Sequence, residues 1–306
     1  MDAAKAKLLT KFTGINTVED PTRLNPTLLN YEYLYPIVQG NNVDIDNSYA
    51  ISSRSGYTSV KAGTDIHSLW SDGTVCFYVD SQTLYELKTD YAVSSIRADM
   101  AVKSRVSYAK MNDRYYYMNG HQSGYIKNSA STELSNPDIL DSTNVFKKTL
   151  PVGQLIETYR GCLYVASRDT LYVGEPLAEH YDIREGYRRF ASRIMMVRAV
   201  DEGIYVSDSE RTFFLKGRGN EDFERIDADE SPAVSMTDIV MPASYMDPKL
   251  DGNVAMWTSK KGICVGDNDG KVINLTEMRY PVGDYGQGHG FVRDINNVRH
   301  YINSLY

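Results

Sequence analysis

Positive charge is in short supply in this sequence. Lys and Arg number 33 against 40 Asp and Glu, a formal net charge of −7. A conventional nucleic-acid surface neutralises phosphates with clustered cations, so that class is disfavoured. A wall that DNA slides past without sticking is compatible with like-charge repulsion. Cysteine is scarce as well. Cys76, Cys162 and Cys264 cannot pair completely, and they read as small buried apolar residues in a reducing compartment. No apolar run approaches the length of a membrane span. Met1 to Thr10 lacks the apolar core of a signal peptide, so the expectation is a soluble chain made in the cytoplasm without membrane insertion. Amphipathic helical stretches are nearly missing: Ala3 to Phe12 is one short candidate, and it reads equally as irregular arm.

What the chain does have is Tyr, 24 of them against 8 Phe and 2 Trp, which suits half-buried sheet with hydroxyls at the rim. It also has a recurring phrase. A polar turn with Gly or Asp leads into an alternating strand centred on an aromatic, and a second polar turn leads into another strand. Trp70-Ser71-Asp72-Gly73 precedes Val75 to Val79, and Asp201-Glu202-Gly203 precedes Ile204-Tyr205-Val206. Taking Tyr78, Tyr116, Tyr164, Tyr205, Cys264 and Tyr301 as centres, the spacings are 38, 48, 41, 59 and 37 residues. Four short strands every ~40–50 residues are what a β-propeller blade requires. The expectation is therefore an all-β, propeller-like ring of about six blades. Five span residues 67–97, 106–145, 154–190, 193–230 and 234–280. The sixth is composite: a 48–60 hairpin, with Ala50–Ser53 and Tyr57–Val60 flanking a turn, closes the ring beside residues 290–306. Residues 1–42 form an extended N-terminal arm with two prolines at 21 and 26, and residues 43–306 form the propeller. The long gap before Cys264 leaves room for a loop over Met241 to Gly252, or for a further blade.

Few motifs carry chemistry. Asp267-Asn268-Asp269-Gly270 resembles the start of a calcium loop without its downstream bidentate Glu, and reads as a tight hairpin turn. Gly283 to Gly290 precedes no helix and has no Gly-Lys-Ser/Thr, which excludes the dinucleotide and phosphate-loop fingerprints and leaves a flexible loop between blades. The histidines show no metal-ligand spacing. No cofactor or metal is expected, and no catalytic residue stands out. Arg184, Arg188, Arg189, Arg193 and Arg198 precede an acidic stretch from Glu221 to Glu230 that includes Asp227 and Asp229. These are either solvated loops or complementary faces that meet across neighbouring copies in a ring.

One resemblance is specific. Gly14-Ile15-Asn16-Thr17-Val18, Asp20-Pro21-Thr22-Arg23-Leu24, Asn41 to Asn47 and Arg54-Ser55-Gly56-Tyr57 together look like bacteriophage virion proteins over about residues 13–73. The chain resembles the tail hub or nozzle protein of short-tailed phages, also called packaged-DNA stabilisation protein. That resemblance implies a non-enzymatic ring subunit, a hexamer below the portal and adaptor, assembled in the host cytoplasm into the virion tail. Genomic DNA would pass through the ring's channel without sequence-specific binding. Assembly contacts are then expected at Phe12, Ile15, Leu24, Tyr31, Tyr33, Tyr35, Arg188, Arg189, Asp227 and Asp229. The alternatives are a tail-tip propeller that binds host receptor or glycan, which requires aromatics clustered at one mouth of the ring, and a glycan hydrolase, which requires a carboxylate pair in the central pocket.

Overall fold

Alternating residues broken by Gly, Asn and Asp turns give antiparallel strands. The computed structural model describes the chain from residue 11 onward, except residues 16, 18–23, 25, 30–31, 38, 42, 46–47, 54–55, 57, 60, 135–143, 278, 281 and 296–297. The N-terminal stretch expected as an extended arm carries a sheet of its own. Its strands β1 (Phe12–Ile15), β2 (Thr27–Leu29) and β3 (Glu32–Ile37) are ordered 1-3-2, with β1 parallel and β2 antiparallel to β3. Thr17 N–H donates to the Arg279 carbonyl at 2.8 Å, holding this segment to the later chain. Strands β4 (Val43–Ile45) and β5 (Ile51–Ser53) pair as a hairpin. Ile51–Ser53 was expected to pair forward, with Tyr57–Val60. Ile51–Ser53 pairs backward with Val43–Ile45, and Tyr57 and Val60 of the expected forward strand lie outside the described residues.

Five four-stranded antiparallel sheets follow in succession, and the fold is that of a β-propeller type. Blade 1 holds β6 (Ile66–Ser71), β7 (Cys76–Asp80), β8 (Thr83–Leu87) and β9 (Val93–Arg97). Blade 2 holds β10 (Ser107–Met111), β11 (Arg114–Met118), β12 (Ser123–Lys127) and β13 (Ala130–Thr132). An outlying pair, β14 (Lys147–Thr149) with β18 (His180–Asp182), flanks blade 3, which is built from β15 (Leu155–Tyr159), β16 (Cys162–Ser167), β17 (Thr170–Val173) and β19 (Tyr187–Arg189). Blade 4 holds β20 (Ile194–Val200), β21 (Gly203–Asp208), β22 (Thr212–Lys216) and β23 (Glu224–Asp229). Blade 5 holds β24 (Ile239–Pro242), β25 (Asn253–Ser259), β26 (Gly262–Gly266) and β27 (Val272–Asn274). A long hairpin of β28 (Gly288–Ile295) and β29 (Val298–Leu305) ends the chain. The β4–β5 and β28–β29 hairpins meet through Arg293 Nη2 and Asp44 Oδ2 at 2.7 Å, and no ladder joins them among the described residues.

The core lies between sheets. Adjacent side chains on a strand point to opposite faces, so Tyr117 packs with Phe77, Leu84 and Tyr108 toward blade 1. Its neighbour Tyr116 packs with Ile156, Leu163 and Val165 toward blade 3. The same sandwiching recurs between blades 3 and 4, between blades 4 and 5, and between blade 5 and the terminal hairpin. With both faces covered, every residue of β21 is buried, and the strand loses the one-sided alternation of an exposed sheet.

The repeat centres fall on the second strand of blades 1 to 4: Tyr78 in β7, Tyr116 in β11, Tyr164 in β16 and Tyr205 in β21. In blade 5 the sequence reading was one strand late. The second strand there is β25, its buried centre is Trp257, and Cys264 is the cross-strand partner of Trp257 on β26. Tyr85, Tyr125, Val173 and Phe214 hold that partner position in the other blades. The error came from a turn, Lys260-Lys261-Gly262, that matches the repeat phrase but joins strands two and three. The long gap is a β24–β25 connection carrying a short 3-10 turn at Ala243–Tyr245, so the loop reading of Met241 to Gly252 holds and the further blade does not.

Gly283 to Gly290 is also more structured than the flexible loop expected. Gly288 and Gly290 lie in β28 and donate to the carbonyls of Ser235 and Met236. A Cβ on Gly290 would collide with the Thr237 carbonyl. Glycine is needed there because two backbones approach closely.

Candidate functional site

The first strands of successive blades face one another, and polar side chains stitch them together. Ser68 Oγ accepts from Val106 N–H at 2.9 Å between blades 1 and 2, and Ser107 Oγ accepts from Ile156 N–H at 3.1 Å between blades 2 and 3. Asp72 caps its own turn through the N–H groups of Thr74 and Val75 and takes Lys110 Nζ of blade 2 at 2.6 Å. Burial pushes the Asp72 carboxyl upward, but Lys110 and the turn donors outweigh it and hold the group well below the usual carboxylate range.

A deeper ion triad joins blades 3, 4 and 5. Glu157 lies opposite Tyr164, Arg198 lies opposite Tyr205, and Asp238 immediately precedes β24. Neighbouring first strands therefore bring these positions together. Arg198 donates from Nη1 to Glu157 Oε2 at 2.8 Å and from Nε to Asp238 Oδ2 at 2.7 Å. Burial raises the Glu157 carboxyl above its ordinary value, and Arg198 only partly offsets this. For Arg198 burial acts to lower the guanidinium, while Asp238 and Glu157 raise it and prevail.

Where these first strands begin, a cavity of about 690 Å³ opens. The segments just before β10, β15, β20, β24 and β28 all line it, together with the β11–β12 and β16–β17 turns. Its described lining contains Lys103, Arg105, His121, Arg168 and Arg193, and neither a carboxylate nor a Phe, Tyr or Trp ring. Arg105 reaches across to the terminal hairpin, donating from Nη1 to the Gly288 carbonyl, with Nη2 at 3.1 Å from His289 Nδ1. Burial lowers the Arg105 pKa, opposed by Tyr306 and Asp238. Burial lowers His289 as well, assisted by Arg105 and opposed by Asp238. Gln154 fastens the wall: its Oε1 accepts from Arg168 N–H at 3.0 Å, and its Nε2 donates to the carbonyls of Arg168 and Ile194.

The residues expected at subunit contacts are scattered. Phe12 and Ile15 lie in β1, Tyr33 and Tyr35 in β3, and Leu24 before β2 is half-buried, while Tyr31 lies outside the described residues. Arg188 is spent within the chain, with Nε on Asn220 Oδ1 at 2.8 Å and its guanidinium over the Phe223 ring, tying blade 3 to blade 4. Arg189 is exposed on β19. Asp227 pairs with Arg211 at 3.6 Å, and Asp229 accepts from Ser231 N–H at 3.1 Å. Arg184 pairs with Asp182 at 2.6 Å. The basic and acidic stretches thus find much of their complement inside the chain.

The Asp267–Gly270 segment is a hairpin turn, as its residues suggest: Asp267 Oδ1 accepts from the N–H groups of Asp269 and Lys271, and Gly270 has φ 85°. Among the described residues no group of three or more His, Cys, Asp and Glu could hold a metal ion. Sequence reasoning missed the cavity. Its cations lie in separate turns, and the one available signal was that Lys103, Arg105, Arg168 and Arg193 shortly precede strands or join them.

No protein-family model and no curated protein matches the chain. Among solved structures it is similar to a gluconolactonase from Xanthomonas campestris at 12% identity, covering 80% of this chain and 87% of that one with a TM-score of 0.49. It is similar to a streptogramin B lyase at 9% identity, covering 86% of each chain with a TM-score of 0.48. A computationally designed protein, Ika8, matches at 8% identity over 78% of this chain and 68% of its own, with a TM-score of 0.46. At this level the likenesses say nothing about chemistry. The all-β propeller type rests on the succession of four-stranded sheets and the apolar cores between them.

Proposed function

We propose that this chain is a structural virion protein, a ring-forming tail hub or nozzle subunit that continues the DNA conduit below a portal and adaptor. The resemblance over about residues 13–73 suggests the role. The observation that weighs against its rivals is the chemistry of the cavity where the first strands of blades 2 to 5 begin. Stacking a sugar needs an aromatic face and hydrolysing a glycoside needs two carboxylates, and the described lining offers neither. A propeller with both faces of its sheets covered is a rigid wedge suited to a ring. The N-terminal sheet, fastened near Arg279, is a ready element for gripping a neighbouring copy.

Cryo-electron microscopy of the virion tests this reading. A ring of copies around the DNA axis, with the segment before residue 43 on an adjacent subunit, is the expected result. Peripheral copies with the cavity facing outward would refute it and make receptor binding the leading account.

A further inference from the structure

We infer that the cavity where the first strands of blades 2 to 5 begin is a binding site for a small polyanion carrying two or more phosphate or carboxylate groups. Its described lining holds three arginines and a lysine and no carboxylate, in a chain whose net charge is −7. Acids outnumber bases overall, so an acid-free wall of this extent is a local segregation of charge. Among the described residues, Lys103, Arg105, Arg168 and Arg193 make no ion pair within 4.0 Å. The cavity's volume of about 690 Å³ lies within the range of small-ligand sites.

Arg105 is half-buried and held by side-chain contacts, while Lys103, Arg168 and Arg193 are exposed on the cavity wall. Arg105 is braced against the Gly288 carbonyl and His289, so its charge is positioned without being neutralised. Arg168 takes the first position of the two-residue β16–β17 turn at φ 57°, and Lys103 has φ 56°. Gln154 then clamps the Arg168 backbone from both its donor and its acceptor side. Guanidinium groups present forked donors that match phosphate and carboxylate oxygens. Cations supplied by separate turns would converge on a ligand with several anionic groups.

Isothermal titration of the full-length protein with tripolyphosphate, citrate and a short DNA duplex tests the inference. Saturable one-to-one binding of a small anion is expected, weakened by about tenfold or more in Arg168→Gln/Arg193→Gln because forked, charge-assisted bonds are lost. Removing the same charge outside the cavity, in Arg218→Gln/Lys249→Gln, should change affinity by about twofold at most at moderate salt. Binding of tripolyphosphate alone marks a phosphate ligand, and equal binding of citrate marks charge density as the determinant. If the cavity variant fails to fold, Lys103→Gln serves as the second variant. No saturable binding, equal loss in both charge variants, or binding of the duplex alone overturns the proposal.

Discussion

Replacing Arg198 with Met probes the electrostatics that join three blades. The side chain is of similar length, so little void is created, but Glu157 and Asp238 lose the cation that contacts them at 2.8 and 2.7 Å. Breaking a buried pair by removing one partner costs about 3–5 kcal/mol, mostly because a buried charge is left uncompensated. The cost should depend on pH, with a definite sign. Burial already raises the Glu157 carboxyl, and losing Arg198 raises it further. A carboxyl with a raised folded-state pKa contributes stability that is fully present below its unfolded pKa and is lost as pH rises through the folded value. The deficit of Arg198→Met relative to the parent should therefore be largest near neutrality and shrink on acidification toward about pH 5. Carboxyls elsewhere whose pKa is lowered, such as Asp72, lose stability on acidification in both proteins and cancel in the difference. The assay is urea unfolding by far-ultraviolet circular dichroism and fluorescence, Trp257 being fully buried. Adding Glu157→Gln and Asp238→Asn to Arg198→Met should recover most of the loss. A deficit under ~1 kcal/mol at neutral pH, or one independent of pH, would refute the account of a buried charge in need of compensation.

Trp257→Ala should cost about 3–5 kcal/mol, whereas Cys264→Ala should cost nearer ~1 kcal/mol; comparable losses would show that Trp257 is not the centre of blade 5. Gly290→Ala should destabilise by about 1–3 kcal/mol, because the new Cβ collides with the Thr237 carbonyl, and the unfolding midpoint reads this directly. Native-state thiol labelling at mildly alkaline pH should modify half-buried Cys76 and Cys162 before Cys264, whose thiol burial pushes up to about 12; early labelling of Cys264 would contradict that burial. Asp72→Asn should lower stability at neutral pH and weaken the acid-induced loss. A carboxyl with a lowered folded-state pKa contributes stability present above its unfolded value and lost as pH falls, and a parallel acid titration of both proteins measures it.

Strand type and blade order were legible in the sequence because both are local. Polar turns with Gly, Asn or Asp recur before apolar runs of four to six residues, and a period of two puts successive side chains on opposite faces. Residues expected for the first five blades enclose the observed sheets, with one boundary difference: β6 begins at Ile66, where residue 67 was expected. Blade 5 shows the limit of such reading. Lys260-Lys261-Gly262 and Asp201-Glu202-Gly203 are locally equivalent turns, yet one follows the second strand of its blade and the other the first. Only cross-strand pairing separates Trp257 from Cys264 as the repeat centre.

Composition and turn phrasing alone determined that this is an all-β chain of repeated four-stranded units, since those features act over a few residues. The cavity and the Glu157–Arg198–Asp238 triad were decided by tertiary structure. Each takes one residue or a short turn from several blades, separated by about forty positions in sequence. A lone Arg168 or Lys103 in sequence is an ordinary surface cation. Packing the blades against one another places it with Arg105 and Arg193 in the lining of one cavity.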